Sequence, residues 1–264
     1  LRAALRLGCR ARAVGTHGAD LLGQLARTAM REAGIDVELL RAVGSSACEL
    51  VTVAGDGTLR TRYHGDRGEP VPIEATAALA GATALLIDGS EPGDQLRAAE
   101  LAKQNKQPVI FDVSELREGT TDLIRVTDIL IASEREASEL APRGELTDAL
   151  EELLGLGPRA VVITLGEKGA IGRHGEQIVR CPAFPNDVLD TYGAGSVFHG
   201  AFAAALLSDE HDYLDRQQEI AAFVLGWLRE GAPASAEADN AIAAHEAYMS
   251  GEIDFDDLAK FISE

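Results

Sequence analysis

In the stretch DVLDTYGAGSVFHGAF two glycines flank Ala194, and Ser196 follows them at the start of a run of small and apolar residues at helical spacing. A glycine turn that opens a helix is a place where anions settle. The backbone approaches closely at glycine, and the first N–H groups of a helix have no intrahelical partner. Aimed at a transferring phosphoryl group, such donors would stabilise its charge. Two other apolar runs end in residues of the same promise. VVITLGEKGA carries Thr164, Gly166 and Gly169 in a glycine turn, and ILIASEREASEL puts Glu136 three residues after Ser133. Alone, the G-x-G also fits a turn that lets a helix pack closely.

Several chemistries are excluded by pattern. There is no G-x-x-x-x-G-K-[ST], so this is no P-loop, and the glycine turn lacks the third glycine of the dinucleotide-binding G-x-G-x-x-G. A dehydrogenase reading would rest on α/β rhythm alone. Ser196 as a hydrolase nucleophile would need the G-x-S-x-G elbow, which G-A-G-S-V is not. His199, three residues further into the helix, reads as a packed or surface helix histidine rather than a base. Cys9, Cys48 and Cys181 form no C-x-x-C pair and read as buried or half-buried free thiols. Asp254, Asp256 and Asp257 read as a solvated helix start, because the glycine and terminal glutamate of a calcium loop are missing.

At 264 residues the chain can bury one large α/β core. Its formal charge of −19, from 24 Lys and Arg against 43 Asp and Glu, repels nucleic acid and anionic lipid. A small phosphorylated ligand is still compatible, since backbone N–H groups and a bound divalent cation supply positive potential locally. With no apolar run of spanning length and no basic-plus-apolar leader, the expectation is a cytoplasmic protein that does not enter the membrane. Leu1 is not an initiator Met, and LRAALRLG reads as the last turns of a helix ending at Gly8, so a segment upstream is expected.

The elements that must position these residues follow from periodicity. CRARAVGT reads as a strand and Ala19 to Ile35 as an amphipathic helix with Leu21, Leu22, Leu25, Ala29 and Met30 near one face. Around Gly55-Asp56-Gly57 two alternating segments predict a hairpin, with Leu50, Thr52 and Ala54 facing Leu59, Thr61 and Tyr63. From Ala84 onward come ALLIDG, a helix through Gln95 to Lys103, PVIFDV, then DILIAS, a helix through Glu139, another through Leu153, and AVVITLG, the short apolar strands and helices that a parallel sheet covered on both faces requires. The fold class is α/β, doubly wound. Ligands of such sheets bind at the carboxyl ends of strands, here Asp88-Gly89, Asp112, Ser133 to Glu136 and Thr164 to Gly169. A hairpin at AIGRHGEQIVRCPAF and helices through Trp227 and Tyr248 complete the pass.

In order and spacing these motifs resemble the ribokinase-like, or PfkB, carbohydrate kinases. DTYGAGS is similar to their D-T-x-G-A-G-D signature, VITLGEKGA to T-L-G-x-x-G, SEREASEL to N-x-x-E, and GTHGADLLG to G-x-x-G-x-D-x-x-G. The resemblance runs from about Leu1 to Phe202, and VFHGAF with IASE looks closest to the branch acting on keto-sugar acids and sulfo-sugars. It implies a ribokinase-like, mostly parallel sheet flanked by helices, with residues 46–64 as a small β-hairpin lid on a core of 1–45 and 65–264, and with the family's amino-terminal strands preceding this chain. It implies ATP-dependent phosphorylation of a hydroxyl on a small sugar or sugar acid, with Mg2+ and potassium as cofactors. Gly193, Ala194 and Gly195 would form the anion hole, and Thr164, Gly166 and Gly169 would lie along the nucleotide. Glu136 would hold magnesium through water, and Asp190 would shape the monovalent-cation loop or simply cap its turn.

Two departures bear on mechanism. The family's catalytic base, the Asp closing G-A-G-D, is Ser196 here, and the Asn of N-x-x-E is Ser133. A neutral hydroxyl is too weak a base at pH 7, and losing general-base catalysis costs about 10²–10⁴-fold in rate. The chain therefore reads either as a kinase whose base has been replaced or as a non-catalytic pseudokinase that binds sugar and nucleotide. The hairpin leaves edges that isolated hairpins rarely tolerate, so a homodimer through the lid is expected.

Overall fold

The computed structural model describes residues 1–53, 59–64, 74–142, 144–183, 191 and 193–207. The Gly55–Gly57 turn, Asp190, the helices through Trp227 and Tyr248 and the acidic tail lie outside the described residues.

The short, continuous apolar runs form the central sheet. Strands β5 (Leu85–Ile87), β6 (Val109–Val113), β7 (Ile129–Ser133) and β8 (Ala160–Thr164) are mutually parallel, β9 (Ala170–His174) adds antiparallel to β8, and β10 (Gln177–Cys181) adds antiparallel to β9 at the edge. The order across the six strands is β10-β9-β8-β7-β6-β5. Parallel neighbours need crossovers, and these are α4 (Pro92–Gln104), α5 (Thr120–Val126), then α6 (Glu134–Leu140) with α7 (Leu146–Gly155).

Strand alternation splits the core into two layers. Val109, Phe111, Val113, Leu130, Ala132, Val161 and Ile163 point to the crossover helices and meet Leu123, Ile124, Leu150 and Leu153. Ile110, Ile129 and Ile131 point the other way, onto α8 (Ala194–Leu207), where Phe198, Phe202, Ala203 and Leu206 cover them. Helices on both faces of a mostly parallel sheet are the doubly wound α/β arrangement the sequence predicts.

The amino-terminal part is built separately. Helix α1 (Arg2–Arg6) ends at Gly8, left-handed at φ 86°, as the sequence reading expects. Strand β1 (Arg12–His17) pairs in parallel with β2 (Asp36–Ala42) across α2 (Leu21–Glu32), and Arg12 fastens this pair to α3 (Ala75–Leu79) by donating to Ala80 O at 3.0 Å. Strands β3 (Cys48–Val53) and β4 (Leu59–His64) form an antiparallel hairpin.

Three local expectations need correction. Among the described residues the leucines of α2 face no core, Leu21 being 71% exposed, Leu22 51% and Leu25 56%, and of this face only Met30 joins the Ala13, Ile35 and Val37 cluster. In the hairpin, Leu50 pairs with Arg62 and Thr52 with Arg60, while Val51 pairs with Thr61 and Glu49 with Tyr63. That register is one residue off the expected facing, which exchanges the two sides of a strand. Cys48 is exposed, and only Cys9 and Cys181 are half-buried.

Candidate active site at the carboxyl ends of the strands

All four parallel strands end at one edge, and the motifs converge there. Ser133 and Thr164 are register partners at the ends of β7 and β8, so the Ser133–Glu136 cap and the Thr164–Gly169 turn are neighbours. Asp112 lies on the adjacent β6 and Asp88 follows β5.

Helix α8 brings the GAGS turn to the same edge. Gly193 is left-handed at φ 85°, Ala194 N donates to Thr191 O at 3.2 Å, and Val197 N donates to Gly193 O at 3.0 Å to begin the helix. Gly193, Ala194, Gly195 and Ser196 are all exposed. Among the described residues, a Cβ at Gly193 would meet nothing within 4 Å, and one at Gly195 only His199 Cε1 at an ordinary 3.8 Å. Close packing therefore does not require these glycines, and it does require Gly200, where a Cβ would come within 2.9 Å of Ala3 Cβ on α1. Among the described residues, the GAG turn is therefore open on its glycine side.

One turn into α8, His199 is buried, as a packed helix histidine should be, with its Nδ1 2.8 Å from Asp112 Oδ2. The approach lies off the line of the ring N–H, and neither ring nitrogen has a hydrogen-bond partner among the described residues. The contact fixes the start of α8 over the end of β6. Sequence reasoning placed Asp112 at a strand end and His199 on a helix but had no signal joining them.

Glu136 is buried, not the exposed helix glutamate that a surface role would give. It closes a capping box: its Oε2 accepts from Ser133 N at 3.2 Å and from the Ser133 hydroxyl, and Arg135 contacts its Oε1. Such a carboxylate has acceptor capacity left for a metal-bound water. In the neighbouring turn Gly166 (φ 60°) and Gly169 (φ 90°) are left-handed. Gly169 is also compulsory by proximity, since a Cβ there would sit 1.9 Å from Cys181 O, whereas Gly166 faces open space. Burial pushes the Asp88 carboxyl up, but hydrogen bonds from Ser90 and Gln95 outweigh it and hold it below the usual carboxylate range. Asp190 lies outside the described residues. Among those residues no group of three or more His, Cys, Asp and Glu is placed to hold a metal.

The profile of the pfkB family carbohydrate kinases matches residues 1–226. The chain belongs to that family. Among curated relatives, the chain is 28% identical to the ribokinase of Haemophilus influenzae over 222 residues, 79% of this chain and 72% of that protein. It is 35% identical to the ribokinase of Lactococcus lactis over 111 residues, 42% of this chain and 36% of that protein, so the matched stretch spans about a third of that relative. The structure of Arabidopsis thaliana ribokinase complexed with ribose and ATP superposes with a TM-score of 0.75 at 24% identity, covering 84% of this chain and 77% of that one. Thermotoga maritima ribokinase gives 0.72 at 21%, covering 94% and 84%. At these identities the superpositions establish the fold, and the family match carries the kinase lineage.

Proposed function

We propose that this protein binds Mg-ATP and a small sugar or sugar acid at the carboxyl edge of its sheet and transfers the γ-phosphoryl group to a substrate hydroxyl, slowly, because Ser196 stands where a base is needed. The observation that carries this reading is the GAG turn, whose glycines leave, among the described residues, an open approach to the first turn of a 14-residue helix. When bound, Mg-ATP supplies the phosphoryl group and a cation that neutralises its oxygens. The residues around it then divide the work. Gly193, Ala194 and Gly195 present donors to developing charge, Thr164, Gly166 and Gly169 line the nucleotide, and Glu136 holds metal-bound water. Asp190 shapes a loop for potassium. A neutral Ser196 hydroxyl accepts no proton efficiently at pH 7, so the attacking hydroxyl loses its proton only to solvent.

Residues 46–64 act in this reading as a lid on a core of 1–45 and 65–264, and a second copy covers the lid's edges in a homodimer of the cytoplasm. Calorimetric titration of Mg-ATP into the full-length gene product tests the binding half. Heat and a thermal shift are expected, and the absence of both at millimolar nucleotide would refute it. Ser196 itself favours the second reading, a pseudokinase that senses sugar or nucleotide, for which binding without ADP release on any sugar is the signature.

A further inference from the structure

The connection between β2 and β3 is the root from which the β3–β4 hairpin leaves the core, and one side chain grips it. Asp20 is the N-cap of α2, and its Oδ1 accepts from Gly23 N at 2.9 Å. Capping needs no more than this. Yet the same Oδ1 accepts from the Ser46 hydroxyl at 2.6 Å and Oδ2 accepts from Ser46 N at 2.7 Å, across 26 positions of sequence. Backbone bonds flank the grip, from Ala19 N to Gly44 O at 2.9 Å and from Val43 N to His17 O at 2.8 Å.

The glycines around Asp20 make this approach feasible. A Cβ at Gly18 would lie 2.2 Å from Ser46 N, and one at Gly23 would lie 2.0 Å from Gly18 O. Backbone therefore lies directly on backbone at the hairpin root, and the hydrogen bonds from Ser46 hold the Asp20 carboxyl down at about 2. Among the described residues the α2 leucines pack on no core, so their packing does not account for that closeness.

We propose that Asp20 is a positioning residue for the hairpin: by holding Ser46 through both oxygens it sets the angle at which β3–β4 leaves the core and so how the hairpin closes over the phosphoryl acceptor. Its place over an acceptor rests on the kinase reading above, while the grip itself does not. Asp20→Asn separates the two jobs of the residue, because asparagine caps a helix as well as aspartate but presents an N–H₂ where one oxygen must accept. Ser46→Ala removes only the hydroxyl bond.

The test is hydrogen–deuterium exchange with peptide resolution on the full chain, comparing parent, Asp20→Asn and Ser46→Ala. Losing a charge-assisted hydrogen bond predicts exchange roughly tenfold faster in residues 48–53 and 59–64 for both variants, with α2 still protected. Parent-like exchange in the hairpin of Asp20→Asn would overturn the proposal, as would loosening confined to α2, which marks a cap and nothing more. In ADP-release assays over pentoses, ketohexose phosphates, sulfo-sugars and keto-sugar acids, Asp20→Asn should raise the acceptor KM with kcat little altered. If no variant, parent included, phosphorylates anything, the kinase reading fails while the exchange result still decides the grip.

Discussion

Replacing Ser196 by Asp should convert a slow phosphoryl transfer into a fast one. Ser196 is exposed in the first turn of α8, next to a glycine cradle that the substitution leaves untouched. A carboxylate there sits at the positive end of the helix dipole, worth about 0.3–1 kcal/mol at an exposed site, so the variant should fold at least as stably as the parent and remain ionised at pH 7. General-base catalysis contributes about 10²–10⁴-fold, or roughly 2.7–5.5 kcal/mol of barrier. The gain should appear in kcat, with nucleotide affinity little changed, because a base acts mainly in the transition state. The assay is ADP release by the full-length gene product and its Ser196→Asp variant, with Mg-ATP, potassium and the four sugar classes. If the variant binds sugar and nucleotide together yet releases ADP no faster than the parent, Ser196 is not a missing base, and the site belongs to a binding protein on a kinase scaffold.

Gly200→Val should destabilise the fold by about 1–3 kcal/mol, since its Cβ would meet Ala3 Cβ at 2.9 Å with no flexible side chain to give way; thermal melting measures it. Asp112→Ala leaves buried His199 facing no carboxylate and should cost about 1–3 kcal/mol in urea denaturation, whereas Gly195→Ala, with room for a Cβ, should leave stability nearly unchanged and weaken nucleotide binding. Asp20 titrates at about 2 in the folded protein against 3.8 for the free side chain. A depressed carboxyl stabilises the fold above its unfolded value and loses that contribution as pH falls, so the urea midpoints of parent and Asp20→Asn should differ above pH 4 and converge between pH 4 and 2.

How much of this was legible beforehand depends on the scale of the signal. The strands from Leu85 to Thr164 are nearly continuous apolar runs, interrupted only by Asp112 and ended by Ser133 and Thr164, as burial on both faces requires. Helices α3 and α5 were invisible: α3 is five residues long, and α5 starts from Gly119 with no side-chain cap. The leucines of α2 repeat at helical spacing, but periodicity gives a face, not what the face touches. The hairpin's register escaped because alternation gives the two faces of a strand and not which partner residue stands opposite. Local spacing exposed the glycines of the GAG turn, while the partner that fixes their helix, Asp112, is distant in sequence and needed three dimensions.

The contact of Gly200 with Ala3 joins the first described helix to the last. Such a pairing closes a long loop, and its entropy must be met before the contact returns anything, which slows its formation. During synthesis, Ile110, Ile129 and Ile131 emerge well before the helix that covers them, so the growing chain presents a sticky apolar strip for much of its translation. The GAG turn and its helix are thus the last part of the described molecule to be born, and any nascent chain stopped short of α8 would display the strip uncovered.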